Sequence, residues 1–137
     1  MSELDNIPRQ AGVLPYRRTS RGLEVLLVTS STRKRWIIPK GNVEPQLGPL
    51  ESARREAFEE AGIRGRVHHL CFGSYRHRST GGDTLVEVYL MEVSETLERW
   101  PEQHSRIREW MPLPHAYDRV LENGLRLMLR ELHELLT

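Results

Sequence analysis

The sequence predicts a mixed β-sheet with helices packed against it, an α/β or α+β sandwich forming one domain over residues 1–137. Three observations carry that prediction. Leu23–Thr29 (LEVLLVT) and Thr84–Val93 (TLVEVYLMEV) read as strands rich in β-branched and apolar residues. Leu50, Ala53, Ala57 and Ala61 recur at helical spacing and make one apolar stripe. From Pro114 the period is helical again, with a broad apolar face through Leu125, Leu127, Met128, Leu129, Leu132, Leu135 and Leu136.

Taken in order, Gln10–Arg17 reads as a strand, with Pro15 pushing it towards an edge or a bulge. Leu23–Thr29 follows across a turn, so the two form a hairpin; its apolar run predicts burial on both faces. Ser30–Arg35 is a basic, hydroxyl-rich loop, and Trp36–Pro39 a short strand. The helix has Pro49 in its first turn, where a missing N–H costs nothing, and Gly62 at the left-handed position past its end. Arg66–Tyr75 reads as one strand, Arg76–Gly82 as a cation-rich turn, and Thr84–Val93 as the partner strand. Ile107–Met111 is a last short strand before two C-terminal helices, the second of them a core layer.

Composition narrows the function. At 137 residues the chain is long enough for one buried core, and its 28% charged and 38% hydrophobic residues are ordinary for a globular protein. A net charge of +1 gives no footprint for nucleic acid. Cys71 is the only cysteine, which excludes an intramolecular disulfide and fits a reducing compartment. With no apolar run of about eighteen residues and no signal-peptide pattern, the expectation is a soluble cytoplasmic protein with no membrane partner. Monomer and homodimer both stay open.

The informative face of the first helix is acidic. Glu56, Glu59 and Glu60 stand at i, i+3 and i+4, so their carboxylates are expected to converge. Like charges at these spacings cost about 0.2–0.5 kcal/mol per pair, and Glu59 and Glu60 sit in the last turn, where the macrodipole disfavours anions. A stretch that breaks two local rules together points to function. Oxygen donors with no base between them suit a hard divalent cation such as Mg²⁺.

Gly41, followed at the right distance by Arg55-Glu56-Ala57-Phe58-Glu59-Glu60-Ala61-Gly62-Ile63, resembles the signature box of the Nudix hydrolases. The resemblance implies a Nudix-like α/β/α sandwich and metal-dependent hydrolysis of phosphoanhydride bonds with Mg²⁺, or Mn²⁺, as cofactor. It further implies that Glu56 and Glu60 hold the metal with the backbone carbonyl of Lys40 and a contribution from Glu59. Glu59 is then the general base, with Glu56 able to exchange roles with it, and Arg55 fixes a box carboxylate. Glu87 and Glu92 on the long strand each offer a further ligand, but alternation puts them on opposite faces. One position departs from the family: its first box Glu, a peripheral support of the metal cluster, is Leu47 here.

Beyond the box, Trp36-Ile-Ile-Pro39, Val43-Glu44-Pro45, Leu97-Glu98 with Trp100, and Arg106-Ile-Arg108-Glu109-Trp110 resemble the diphosphoinositol polyphosphate and diadenosine polyphosphate phosphohydrolase branch. The matching substrate-binding positions are Arg9, Ser31, Arg33, Lys40, Gly41 and Arg106. Basic residues which that branch carries before its long strand align with Asp83 and Thr84, and Arg76, His77 and Arg78 offer replacements. The expected partner is a small polyphosphate. The alternatives are a house-cleaning hydrolase of nucleoside triphosphates or nucleotide sugars, and a non-catalytic nucleotide-binding module. Other chemistries find no support. His68 and His69 are neighbours on a predicted strand and face opposite ways, no histidine pair has zinc spacing, and there is no Gly-x-Ser-x-Gly elbow or P-loop.

Overall fold

The computed structural model describes residues 7–32, 35–79 and 81–136; the expected substrate residue Arg33 lies outside them. Among the described residues the elements are β1 (Arg9–Thr19), β2 (Gly22–Thr29), β3 (Trp36–Ile37), β4 (Lys40–Asn42), α1 (Gly48–Ala61), β5 (Ile63–Val67), β6 (Gly73–Ser79), β7 (Gly82–Thr96), β8 (Arg108–Pro112), α2 (Leu113–Arg119) and α3 (Asn123–Leu136).

Strand alternation explains the layers. On β2, Val25 and Leu27 face one apolar cluster and Leu26 and Val28 the other; on β7, Val86 and Val88 oppose Tyr89 and Met91. One cluster is closed by Ala53, Ala57 and Ala61 of α1, the other by Ala116 of α2 and Leu125, Met128, Leu129 and Leu132 of α3. The result is the expected α/β/α sandwich around a mixed sheet. Leu26 and Leu27 are almost fully buried, and each such side chain contributes about 1.5–3 kcal/mol. No helix among the described residues is long and apolar enough to cross a membrane.

Three expectations are corrected. β1 is a central strand, not an edge: it runs parallel to β7 from Arg9↔Leu85 to Tyr16↔Glu92, while antiparallel partners occupy its other side. On that side β4 pairs with Gln10–Gly12 and β2 takes over from Tyr16. Pro15 falls in the gap between these two partners, which is why a central strand tolerates it. Second, Arg66–Tyr75 is not one strand. β5 and β6 both pair with β7 (Val67↔Met91, Gly73↔Val88), but more residues separate Val67 from Gly73 than Val88 from Met91. The excess loops out, and His68 and His69 stack with centroids 5.1 Å apart instead of facing opposite ways. Third, Arg76–Ser79 is not a turn: it extends β6 along β7 to Ser79↔Gly82.

Candidate active site

The site is built at the C-terminal half of α1. Gly62 ends the helix at φ 63°, ψ 41°, its N–H reaching Ala57 O and Phe58 O. The helix has no basic residue in its last turn, and the compensation comes from β8. Arg108 donates to the carbonyls of Ala61 (2.7 Å), Gly62 (3.3 Å) and Leu97, and lies 3.7 Å over the Trp100 ring. Trp100 Nε1 donates to Glu60 O at 3.0 Å. A cation and an indole thus satisfy carbonyls that carry the negative end of the dipole. The family resemblance picked out both residues, but their work as a cap was not visible in the sequence, because they lie on another segment.

Glu60 is only 5% exposed. Its carboxylate accepts from the Lys40 backbone N–H and from Arg106 Nη2, each at 3.2 Å. Burial pushes its pKa up to about 8, against the pull of Arg106. Burial also raises Glu56, with the Glu59 charge adding to it and a hydrogen bond with Glu60 opposing. The Glu56 carboxylate lies against the Cα of Gly41, where any Cβ would overlap it. These groups floor a cavity of about 420 Å³ whose walls include Gln10, Ser30, Ser31, Arg35, Lys40 and Arg106. Lys40 Nζ donates to Gln10 Oε1 at 3.1 Å, and its pKa is lowered by burial, with Glu60 opposing.

The structure therefore brings together Glu56, Glu60, Lys40, Gly41, Ser31 and Arg106. It does not bring the third carboxylate with them. Glu59 Oε1 accepts from Arg55 Nε at 3.0 Å, and Arg55 also reaches Glu44 Oε2 at 3.1 Å. The guanidinium one turn earlier captures Glu59, so the expected convergence of three is a pair. Arg9 pairs with Glu87 at 3.1 Å outside the cavity lining. Neither Glu87 nor Glu92 lines it; Glu92 meets Arg66 (3.8 Å) and Tyr16 Oη (3.5 Å). Gln10 and Arg35 are lining residues that were not singled out as site residues; of the replacements Arg76, His77 and Arg78, His77 is in the lining.

The NUDIX domain family model matches residues 7–132. The chain belongs to the Nudix family. It is 40% identical over 115 residues to diphosphoinositol polyphosphate phosphohydrolase 3-beta of Bos taurus, across 82% of this chain and 68% of that protein. It is 36% identical over 122 residues to the mitochondrial Nudix hydrolase 12 of Arabidopsis thaliana, across 77% of this chain and 60% of the relative. The chain thus spans less than two thirds of that relative's length. A crystal structure of a C. elegans Ap4A hydrolase binary complex superposes with a TM-score of 0.82 at 24% identity, covering 95% of this chain and 98% of that one. This likeness establishes the fold.

The Nudix family implies a divalent cation, and the donor set can be tested against one. Among the described residues no three His, Cys, Asp or Glu side chains form a metal-binding group. Two adjacent carboxylates raised by burial, packed on a glycine that leaves them room, do fit a hard cation that keeps its remaining positions for carbonyl, water and phosphate oxygens. The pair also predicts a pH dependence. In the metal-free Nudix chain Glu60 stays protonated up to about pH 8, whereas unfolding returns it to the ordinary carboxylate range. The folded state then binds the extra proton, so stability falls as pH rises from that range towards 8. Urea midpoints between pH 5.5 and 8.5 should decline, and saturating Mg²⁺ should offset the decline at the alkaline end.

Leu47, the departure from the family box, precedes α1 with no side-chain cap. It is 39% exposed and lines a different groove with Arg54, Arg55 and Phe58. A carboxylate there meets the helix N-terminus and Arg55 before it meets the cavity. Leu47→Glu should therefore stabilise the fold by about 0.3–1 kcal/mol and leave the metal concentration for half-maximal rate unchanged. A lowered metal requirement would show that the position acts on the carboxylate pair after all.

Proposed function

We propose that this Nudix chain is a divalent-metal-dependent hydrolase of phosphoanhydride (nucleoside diphosphate-X) bonds, with diadenosine polyphosphates or diphosphoinositol polyphosphates as substrates. The observation that carries the reading is the Glu56–Glu60 pair on Gly41, at the floor of a cavity walled by Lys40, Arg35 and Arg106. The relatives include diphosphoinositol polyphosphate phosphohydrolases, which supports the substrate class.

Glu56, Glu60 and the Lys40 carbonyl would hold Mg²⁺ or Mn²⁺. When bound, the ion neutralises bridging phosphate and makes a coordinated water more acidic. Glu56 takes the proton of the attacking water in this reading. It lines the cavity and burial raises its proton affinity, whereas Glu59 is held by Arg55 outside the lining. Arg55 fixes Glu59 and Glu44. Arg106 meets Glu102 (2.7 Å), the Thr29 carbonyl (2.9 Å) and Glu60, so its first contribution is to hold Glu60 in place. Lys40, Arg35 and Ser31 are the groups on the walls for phosphate oxygens.

The test is a Mg²⁺-dependent substrate panel resolved by ion exchange, with diadenosine hexaphosphate, diphosphoinositol pentakisphosphate, ADP-ribose and nucleoside triphosphates. The reading expects the long polyphosphates to have the higher kcat/KM. One observation favours the second reading, hydrolysis of single nucleotides or nucleotide sugars: with Arg9 held by Glu87, the cationic wall is shorter than the spread of basic residues along the sequence implies. A wild-type preference for ADP-ribose or a triphosphate would select it.

A further inference from the structure

One residue of the cavity wall comes from β6, on the far side of β7 from the box. His77, on β6, lines the cavity together with Glu56, Glu60 and Lys40. Its Nδ1 lies 3.1 Å from Glu122 Oε2, and the two side chains are 21% and 22% exposed. Glu122 belongs to the connection between α2 and α3. The start of α3 beside it is seated firmly: Gly124 lies so close to Tyr75 that a Cβ there would overlap the tyrosine, and the Glu122 carbonyl accepts from Arg126 N at 3.0 Å. Two segments 45 residues apart are thus joined at the rim of the site.

The sign of the charge is the informative point. The other ionised groups on the walls, Lys40, Arg35 and Arg106, are cationic and suit phosphate. At this end a carboxylate stands close enough to raise the proton affinity of Lys40. A carboxylate repels a phosphate oxygen. Even while bonded to His77 it keeps acceptor capacity for hydroxyl donors, and a pair of ribose hydroxyls is a usual ligand of such an acid. With Nδ1–H donated to Glu122, a ligand in the cavity meets the ring through Nε2, which in that neutral tautomer accepts, so ring and carboxylate together offer acceptors to a pair of hydroxyl donors.

We propose that His77 and Glu122 form a subsite for the ribose hydroxyls of a nucleoside, so that the chain selects dinucleoside polyphosphates against fully phosphorylated inositol rings. This rests on the phosphoanhydride reading of the cavity and narrows it to one of its two substrate classes. A fully phosphorylated ring offers no hydroxyl, and it brings further anions to Glu122.

The experiment is calorimetric binding with Mg²⁺, using methylene-bridged diadenosine tetraphosphate, its 2′,3′-dideoxy counterpart and inositol hexakisphosphate. The wild type should bind the dinucleotide more tightly than the inositol phosphate, and the dideoxy ligand about tenfold more weakly than its parent. Glu122→Lys should move the ratio of the two Kd values by at least about tenfold towards inositol hexakisphosphate, and Glu122→Gln in the same direction by less. Equal binding of the dideoxy ligand and its parent would overturn the subsite, as would an unchanged ratio in variants with a wild-type melting profile. The dideoxy comparison needs no variant, so it decides even if Glu122→Lys fails to fold. Hydrolysis of the unmodified compounds is measured alongside. Absence of any turnover would remove the phosphoanhydride reading, while the binding ratios still judge the subsite.

Discussion

Glu60→Gln should lower kcat by more than about a hundredfold and abolish the alkaline loss of stability in the metal-free protein. Changes to groups that only orient a metal ligand typically cost about 10–100-fold, and Glu60 is assigned here as a ligand itself. The fold should survive, because the amide keeps the volume of a buried side chain and can still accept the Lys40 N–H. Gln also imitates the protonated acid that burial favours. Its Tm should therefore match the wild type near pH 6 and exceed it near pH 8.5, where the wild type must bury a charge. Turnover close to wild type would sink the metal assignment. A Tm that still falls with pH would show that another group carries the linkage.

Gly41→Ala should be nearly as damaging for a different reason. Its Cβ would overlap the carboxylate carbon and both oxygens of Glu56. The end of a Glu side chain is flexible and β4 is short, so the collision moves the carboxylate and leaves the sheet intact. Misplacing a reacting group by about 1 Å can cost roughly a hundredfold in rate. The expected result is a kcat reduced by about that factor with a Tm lowered by only a few degrees, measured by steady-state kinetics and circular dichroism. A folded variant with wild-type kcat would mean that Glu56 does not work from its position on Gly41.

Much of this was legible in the sequence because it is local. Pro49, the alanine stripe and Gly62 delimit α1 within a residue or two, and β2 and β7 follow from their apolar runs. Spacing puts Glu56 and Glu60 on one face of α1, and the resemblance to the Nudix box implies that Lys40 and Gly41 meet them there. What escaped notice depends on which segments meet. Spacing puts Glu59 beside Glu56 and Glu60, but a nearer guanidinium, Arg55, decides its direction. Arg9 reads as a phosphate ligand until Glu87, the register partner of Ala11 two residues along, pairs with it across β1 and β7. Nothing in the local pattern around His77 or Glu122 announces the other. Likewise the loop between Val67 and Gly73 follows from how β5 and β6 each register against β7, a pairing across segments and not a local pattern.

The parallel pairing of β1 with β7 bears on how the protein is made. Tyr16 and Glu92 are 76 positions apart, so a chain emerging amino end first presents its central strand long before that strand's neighbour exists. Non-local pairing of this kind slows folding. Until β7 arrives, β1 has a bare edge able to accept a strand from another chain. The α1 segment is synthesised early, yet Arg106 and Arg108, which hold Glu60 and cap its helix, come later still. A nascent chain halted before them would carry the whole signature box and lack the partners that give it shape.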